Sequence, residues 1–427
     1  MTAIAPRPTP TTNAPRTRSE TRRARTLAAA YFAMSAVSFA FLGLGTEGDA
    51  ELRLTSPGDR FHDAVPDLTF DAGAVAYVVA VLLAILGGVQ LSRASLRLEG
   101  LIVGAAGLLF TIAFLGWAAA GGSFSFVGML QASLIRAVPL ALGAFAGIMC
   151  ERAAIVNIAI EGMLLSGAFV SAIVGSTVNS FAGVLAAILS GGLVALVLAV
   201  LTIRYRADQI IVGVVINILV LGLTSFLTAR ILTSNPQYNN AGVFGPIKVP
   251  LLHDVPLVGP VLFEQTIFVY LMLLMAFALT WMLFRTRWGL RLRSIGEHPL
   301  AADTVGVEVH RMQYINVVIG GMIAGLGGAY FIYGSTGRFD ENMTNGRGYI
   351  ALAAMILGRW HPIGALSAAL LFGFADALQQ KLGILSTGIP SEFLLMAPFL
   401  VTIVVVAGFA GKTKAPAAEG TAYVMER

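Results

Sequence analysis

Apolar positions in this chain fall in long uncharged blocks, at 26–45, 72–91, 101–122, 128–149, 162–178, 181–203, 209–232, 265–284, 312–333, 363–380 and 391–411. About 20 such residues carry a helix across the hydrocarbon, where a lipid-exposed backbone has to satisfy its own hydrogen bonds. The stretch 349–358 is only half a span, so it reads either as a re-entrant piece or as part of a helix broken at 359–362. The pattern predicts an all-α polytopic membrane protein of roughly ten to twelve transmembrane helices, some of them broken or re-entrant.

Composition removes the alternatives. Of 427 residues, 57% are hydrophobic and 12% charged, with a mean hydropathy of +0.80. Too few polar side chains remain to coat a water-soluble globule. The formal net charge of +5 could suit a nucleic-acid binder, but this hydrophobicity does not, so no nucleic-acid partner is expected. The single cysteine, Cys150, rules out an intramolecular disulfide framework. The five histidines (His62, His253, His298, His310, His361) show no metal-ligand spacing, and no catalytic or metal site is expected.

Charge also sets an expected orientation, because short loops rich in arginine and lysine stay in the cytoplasm. Residues 1–25 form a Pro-, Thr- and Arg-rich tail with one acid, Glu20, which reads as disordered. That tail, Arg93 with Arg97, Arg204 with Arg206, and Arg285 to Arg293 all fall on one side if each block crosses once. The loop 47–71 is acidic and falls opposite, while Lys412 and Lys414 place the C-terminus inside if the broken 349 region counts as a crossing.

Several polar groups stand alone in apolar surroundings. Asn157 and Glu161 are four apart and share a face if the segment is helical. An intramembrane carboxylate is costly without a partner, so both residues read either as lining of a solute path or as interhelical glue. Arg136, three residues before Pro139, joins them as a path candidate, as do Asn217 and the group Asp376, Gln379 and Gln380. Asn217, Thr224 and Thr228 recur at helical spacing and make a weakly polar stripe, which is also an ordinary packing feature. Gly143 with Gly147, and Gly321 with Gly325, have the spacing that permits close helix contact.

The loop 285–311 carries Gly296, Glu297, His298, Pro299, Leu300, Ala301, Ala302, Asp303, Thr304, Val305 and Gly306. It reads as a short helix, with Pro299 in the first turn and Gly306 at the stop. Ala301 and Ala302 would let another protein approach closely. A phosphate-binding loop at Gly411-Lys412-Thr413 fails, because it needs glycine where Val406 stands and it follows a span rather than a strand.

Glu151 to Gly167, Ala207 to Gly213, the loop 296–306, Gly346 to Ala354 and Gly358 to Leu378 together resemble ABC-importer permeases of the branched-chain amino-acid and simple-sugar superfamily, nearest its nucleoside-type members. The resemblance covers 123–411 and implies a permease subunit of an ATP-driven importer for nucleosides or related small polar solutes. It also implies an ABC ATPase that docks on 296–306 as a coupling helix, a second permease subunit, often a paralogue in this family, and a substrate-binding lipoprotein. This chain would bind no cofactor, ATP being used by the partner subunit, and would sit in the bacterial inner membrane, bathed in lipid, with both termini cytoplasmic. Two departures stand out: His298 where the family commonly has Asn, and Ala159 where it commonly has Gly. The expected division is a tail at 1–25, a transmembrane extension with an acidic external loop at 26–122, the permease core at 123–411 and a C-terminal tail at 412–427. A simple-sugar permease, a proton-coupled carrier using Glu161 or Asp376, and a membrane scaffold or receptor are the competing readings.

Overall fold

The computed structural model describes residues 18–44, 46, 48–55, 66–92, 99–384, 396 and 414–424. The expected span at 391–411, residue 396 apart, and tail residues 1–17 lie outside them. Among the described residues, nine helices are long and apolar enough to cross a membrane, and Ile102–Ala118 and Arg347–Leu357 are shorter apolar helices. The chain divides into two compact units, Met1–Phe126 and Val127–Arg427.

The first unit contains α1 (Arg18–Val37), α2 (Ala72–Ser92) and α3 (Glu99–Ala118). Helix α1 begins at Arg18 and so takes in the basic residues 18–25, expected as tail; Arg, Glu and Ala are strong helix formers. Its core gathers Tyr31, Leu42, Ala76, Val79, Leu83, Ala106 and Ala113. The acidic loop, expected only as an external connection, contributes two strands to a small sheet. Strand β1 (Asp49–Arg53) pairs antiparallel with β2 (Leu68–Asp71) and parallel with β3 (Ser123–Ser125). Asp71 then accepts the backbone N–H of Ala74 at 2.7 Å and so holds the first turn of α2.

The second unit opens with α4 (Phe126–Glu151), α5 (Ile160–Thr177), α6 (Ser180–Ala199) and α7 (Gln209–Leu227). After a loop bearing the β4 (Ile247–Lys248) and β5 (Glu264–Gln265) pair come α8 (Ile267–Arg285), α9 (Arg287–Glu297), α10 (Pro299–Thr304) and α11 (Val309–Phe331). The half-span α12 (Arg347–Leu357) and α13 (Pro362–Ile384) follow. Helices α6, α7 and α11 each end in a π-helical turn, at Val200–Arg204, Thr228–Leu232 and Ile332–Thr336. The break between α12 and α13 is sharp, with Arg359 at φ 58° and Trp360 at φ 52°. The half-span therefore is a separate short helix that meets its successor at an elbow.

Burial ranks the helices. The spans of α4, α11 and α5 are 89%, 78% and 67% buried, against 33% for those of α6, α7 and α8. The first three form the centre. The last three turn Leu189, Ile218, Phe277 and Trp281 outward, as lipid-facing helices do.

Small residues let the central helices touch through their backbones. A Cβ on Gly167 would sit 2.7 Å from the carbonyl oxygen of Gly325, and one on Gly325 would overlap the carbonyl of Ala187, so α5, α6 and α11 meet at this point. Gly143 makes the matching approach from α4 to α12, where a Cβ would lie 2.7 Å from that of Ala351. Gly325→Leu is expected to cost about 1–3 kcal/mol through overpacking. Gly222→Ala, with open space around its Cβ, should be neutral or stabilising. Thermal unfolding of the two purified variants checks this, and equal melting temperatures would refute the backbone contact.

Candidate functional site

Three polar features remain inside or at the end of the second unit. The first is a cavity of about 420 Å³ between α4, α11 and α12. Arg136 and Pro139 of α4, Tyr330 and Phe331 of α11, and Arg347 at the start of α12 line it, together with Asp340, Thr336 and Gln380. The Arg136 guanidinium donates to Asp376 at 2.8 Å and also to Gln380. Arg347 lies 3.6 Å from the same Asp376 oxygen and 5.7 Å from the Phe331 ring centroid. Two guanidiniums thus share one carboxylate. Each has five N–H donors, so donors remain to face the cavity, while the neighbouring rings supply apolar walls. Four charges and amides on apolar helices are tolerated because they face one another and a cavity.

The second feature holds the half-span in place. Glu161 Oε1 accepts from Thr344 Oγ1 at 2.6 Å and from the Gly346 N–H at 2.8 Å, and its Oε2 accepts from the Gly348 N–H at 2.6 Å. A carboxylate set on the first turn of α12 satisfies orphan donors and complements the positive end of the helix. Asn217 works beside it. Its Oδ1 accepts from the Gly162 N–H at 2.8 Å, and its Nδ2 donates to Ile158 O at 2.9 Å and to Tyr349 Oη at 3.1 Å.

The third lies about 22 Å further along α4 by helical rise, counted from Arg136. Here Trp360 Nε1 donates to Glu151 at 2.5 Å, and Arg152 donates to the Trp360 carbonyl at 3.0 Å. The nearby loop 285–311 contains two helices, not one. Thr286 caps α9 by accepting the Gly289 N–H at 3.2 Å, and His298 caps α10 by accepting the Ala301 N–H on Nδ1 at 3.1 Å. The histidine therefore performs the capping that an asparagine would, with Nδ1 unprotonated. Gly306, at φ 83°, ends the segment. Ala301 is exposed and Ala302 buried, so only the first of the two small residues faces outward, flanked by exposed Glu297, Leu300 and Val305. Gly296 is buried, and its carbonyl accepts the Ala418 N–H at 2.9 Å from the C-terminal segment 414–424.

That segment carries Glu419, whose carboxyl burial pushes above its ordinary value, with a hydrogen bond to Glu151 opposing the shift. A raised acid binds its proton more tightly when docked, so its contribution is complete below its ordinary value of 4.5 and is lost as pH rises through the raised value. Docking of 414–424 should accordingly weaken with rising pH, and Glu419→Gln should flatten the dependence. Limited proteolysis of the segment across a pH series reads this, and an unchanged profile in the variant would contradict it.

Of the path candidates, the cavity collects Arg136 and Gln380, with Asp376 bonded to the arginine. Glu161 and Asn217 are committed to the α12 junction instead. Asn157 is buried in the loop between α4 and α5, with Nδ2 3.3 Å from Cys150 Sγ and Oδ1 unpartnered. Asn157 and Glu161 do not share a helical face, because α5 starts only at Ile160 and Ala154 has φ 66°. Thr224 and Asn217 are buried, and the Thr224 hydroxyl bonds back to Val220 O at 2.8 Å within its own helix. Sequence reasoning passed over Arg347, Tyr330 and Phe331. An arginine opening a half-span was the available signal for the first, whereas aromatics in an apolar helix carry none.

Residues 129–411 match the family of branched-chain amino acid transport system permease components. The guanosine ABC transporter permease protein NupQ of Bacillus subtilis is 41% identical over 308 residues, covering 69% of this chain and 96% of that protein. The nucleoside ABC transporter permease protein NupC of Lactococcus lactis is 38% identical, with 69% and 96% covered. The putative glucose ABC transporter permease protein TsgC13 of Haloferax volcanii is 36% identical, with 60% and 77% covered. No solved structure matches the chain.

Proposed function

Since this chain belongs to the branched-chain amino acid transport system permease family, a family of multi-pass membrane proteins, we propose that it is the permease subunit of an ATP-driven importer for nucleosides. The observation that carries the reading is the cavity, where Arg136 and Arg347 offer hydrogen-bond donors beside the rings of Tyr330 and Phe331. A nucleoside presents a flat base and a hydroxylated sugar, and such a solute suits a pocket with aromatic walls and a few placed donors. The names of the nucleoside-transporting relatives, which align over more of the chain than the glucose permease does, support the same solute class.

In this reading α10 docks on a separate ATPase, a second permease subunit completes the path, and a binding lipoprotein delivers the solute. ATP is hydrolysed on the partner, and this chain binds no cofactor. The chain lies in a bacterial inner membrane with its arginine-rich loops and both termini in the cytoplasm. The permease core takes up 123–411, the first spans form an extension, and the terminal stretches 1–25 and 412–427 are tails. A proton-coupled carrier is less well supported, since Asp376 is held by two arginines and Glu161 by three donors.

Uptake of labelled guanosine into proteoliposomes holding the chain with its neighbouring ATPase, permease and lipoprotein tests the proposal. Accumulation should require ATP inside, persist with a protonophore, and be competed by nucleosides but not by glucose. Accumulation by the chain alone, or collapse with the proton gradient while ATP is maintained, would overturn it, and competition by glucose alone would move the reading to sugars.

A further inference from the structure

A second pocket, of about 330 Å³, opens where the π-helical end of α6 meets the start of α11. Ile203, Arg204, Arg206, His310 and Tyr314 line it, and no acid is among them. The acids nearest in sequence are committed elsewhere. Asp208 accepts the N–H groups of Ile210 and Ile211 at the start of α7, and Glu308 pairs with Arg311 at 3.2 Å. Among the described residues neither Arg204 nor Arg206 forms an ion pair. The pocket wall is therefore cationic, and among the described residues no acid is paired with either arginine.

Arginines at this end of the helices would follow from the charge rule for membrane loops alone. That rule does not explain two further features. Arg206 is held at φ 54°, a left-handed conformation that a non-glycine residue rarely adopts. Such a conformation is found at helix ends, as here after the π-helical stretch, and also at ligand-binding sites. Behind the pocket, the Tyr423 ring packs on His310 with centroids 5.1 Å apart, which fixes the imidazole as a wall. On either side the chain is apolar and exposed, with Val197 and Leu196 leading in, Ile210 and Ile211 leading out, and the ring of Tyr205 between them. Acyl chains can lie along those residues while a headgroup reaches the arginines, and an exposed tyrosine at that depth is an interfacial anchor.

We propose that this pocket binds the phosphate of an anionic phospholipid from the surrounding leaflet, with Arg204 and Arg206 as its principal ligands and His310 and Tyr314 as polar walls. The location assumes that these residues lie at the membrane interface, which rests on the orientation in the preceding reading. Exposed apolar residues of the lipid-facing α6 and α7 flank the two arginines, so a lipid headgroup rather than free phosphate is the occupant we assign. Basic pockets between transmembrane helices select such lipids.

Native mass spectrometry of the full chain in mild detergent, titrated with phosphatidylglycerol, phosphatidylcholine or inorganic phosphate, tests this without reference to transport or solute. Phosphatidylglycerol should bind more tightly than phosphatidylcholine. Arg204→Ala with Arg206→Ala should weaken it by about thirtyfold, the loss expected for two interfacial arginines. Arg204→Lys with Arg206→Lys should retain most of the binding and controls for misfolding, and Arg287→Ala, an exposed arginine elsewhere, should leave it unchanged. Equal affinity in the double alanine variant, an equal loss in Arg287→Ala, or displacement of the lipid by inorganic phosphate would each overturn the proposal.

Discussion

Glu161→Ala is expected to abolish transport, because it leaves three donors around the start of α12 without their acceptor at once. Thr344, Gly346 and Gly348 all direct a hydrogen to this carboxylate. Hydrogen bonds to a charged acceptor contribute about 1.5–3 kcal/mol each, and buried donors left unmade add a desolvation cost, so a total on the order of 4 kcal/mol is expected. The damage should spread from the junction to the cavity, since Arg347 opens the same helix and faces Asp376. Glu161→Gln keeps the shape and one acceptor oxygen but places an amide donor against a donor, so it should fall between the two. Unfolding temperature and ATP-driven uptake of the three proteins check the ordering. Wild-type stability in the alanine variant would remove Glu161 from this role.

If α10 is the docking face proposed above, Ala301→Trp and Val305→Asp should leave the chain folded while uncoupling it from a partner ATPase. Both residues are exposed on or next to α10, with Leu300 alongside, and a bulky ring or a charge there prevents close approach of a partner. Loss of a central contact in such a docking patch typically costs about 2–4 kcal/mol of binding. Ala302→Trp provides the contrast. Ala302 is 2% exposed, so its enlargement should lower the melting temperature of the isolated chain. ATPase binding and melting temperature measured together separate the effects. If Ala301→Trp destabilises the chain as much as Ala302→Trp while the ATPase still binds, α10 is not the docking face.

The membrane-spanning architecture was legible because hydrocarbon thickness imposes a length on every apolar block, and the blocks at 128–149 and 209–232 match α4 and α7 with its π-helical turn to within two residues. What sequence missed was local and charged. Helix α9 hides in Arg287–Glu297, where arginines spaced around an amphipathic helix read as a solvated loop. The sheet in the acidic loop hides because β1 is five residues long and lacks a strong apolar alternation. The candidate site was half legible for a different reason. The cost of a buried charge points to Arg136 and Glu161, but their partners lie 240 and 183 to 187 positions away, and one sequence does not tie such positions together. The division of labour followed from those partners: Arg136 went to the cavity and Glu161 to the helix junction.

The backbone-to-backbone seam around Gly167 and Gly325 has a mechanical corollary. Close-packed interfaces without side-chain padding do not deform by degrees, so α5, α6 and α11 behave as a single stator. The half-span leans on that stator through one glutamate at its head and turns at Arg359 and Trp360 at its foot. Pinned at one end and turned sharply at the other, α12 would carry a displacement at the Arg359–Trp360 elbow towards Arg347 and the cavity it lines.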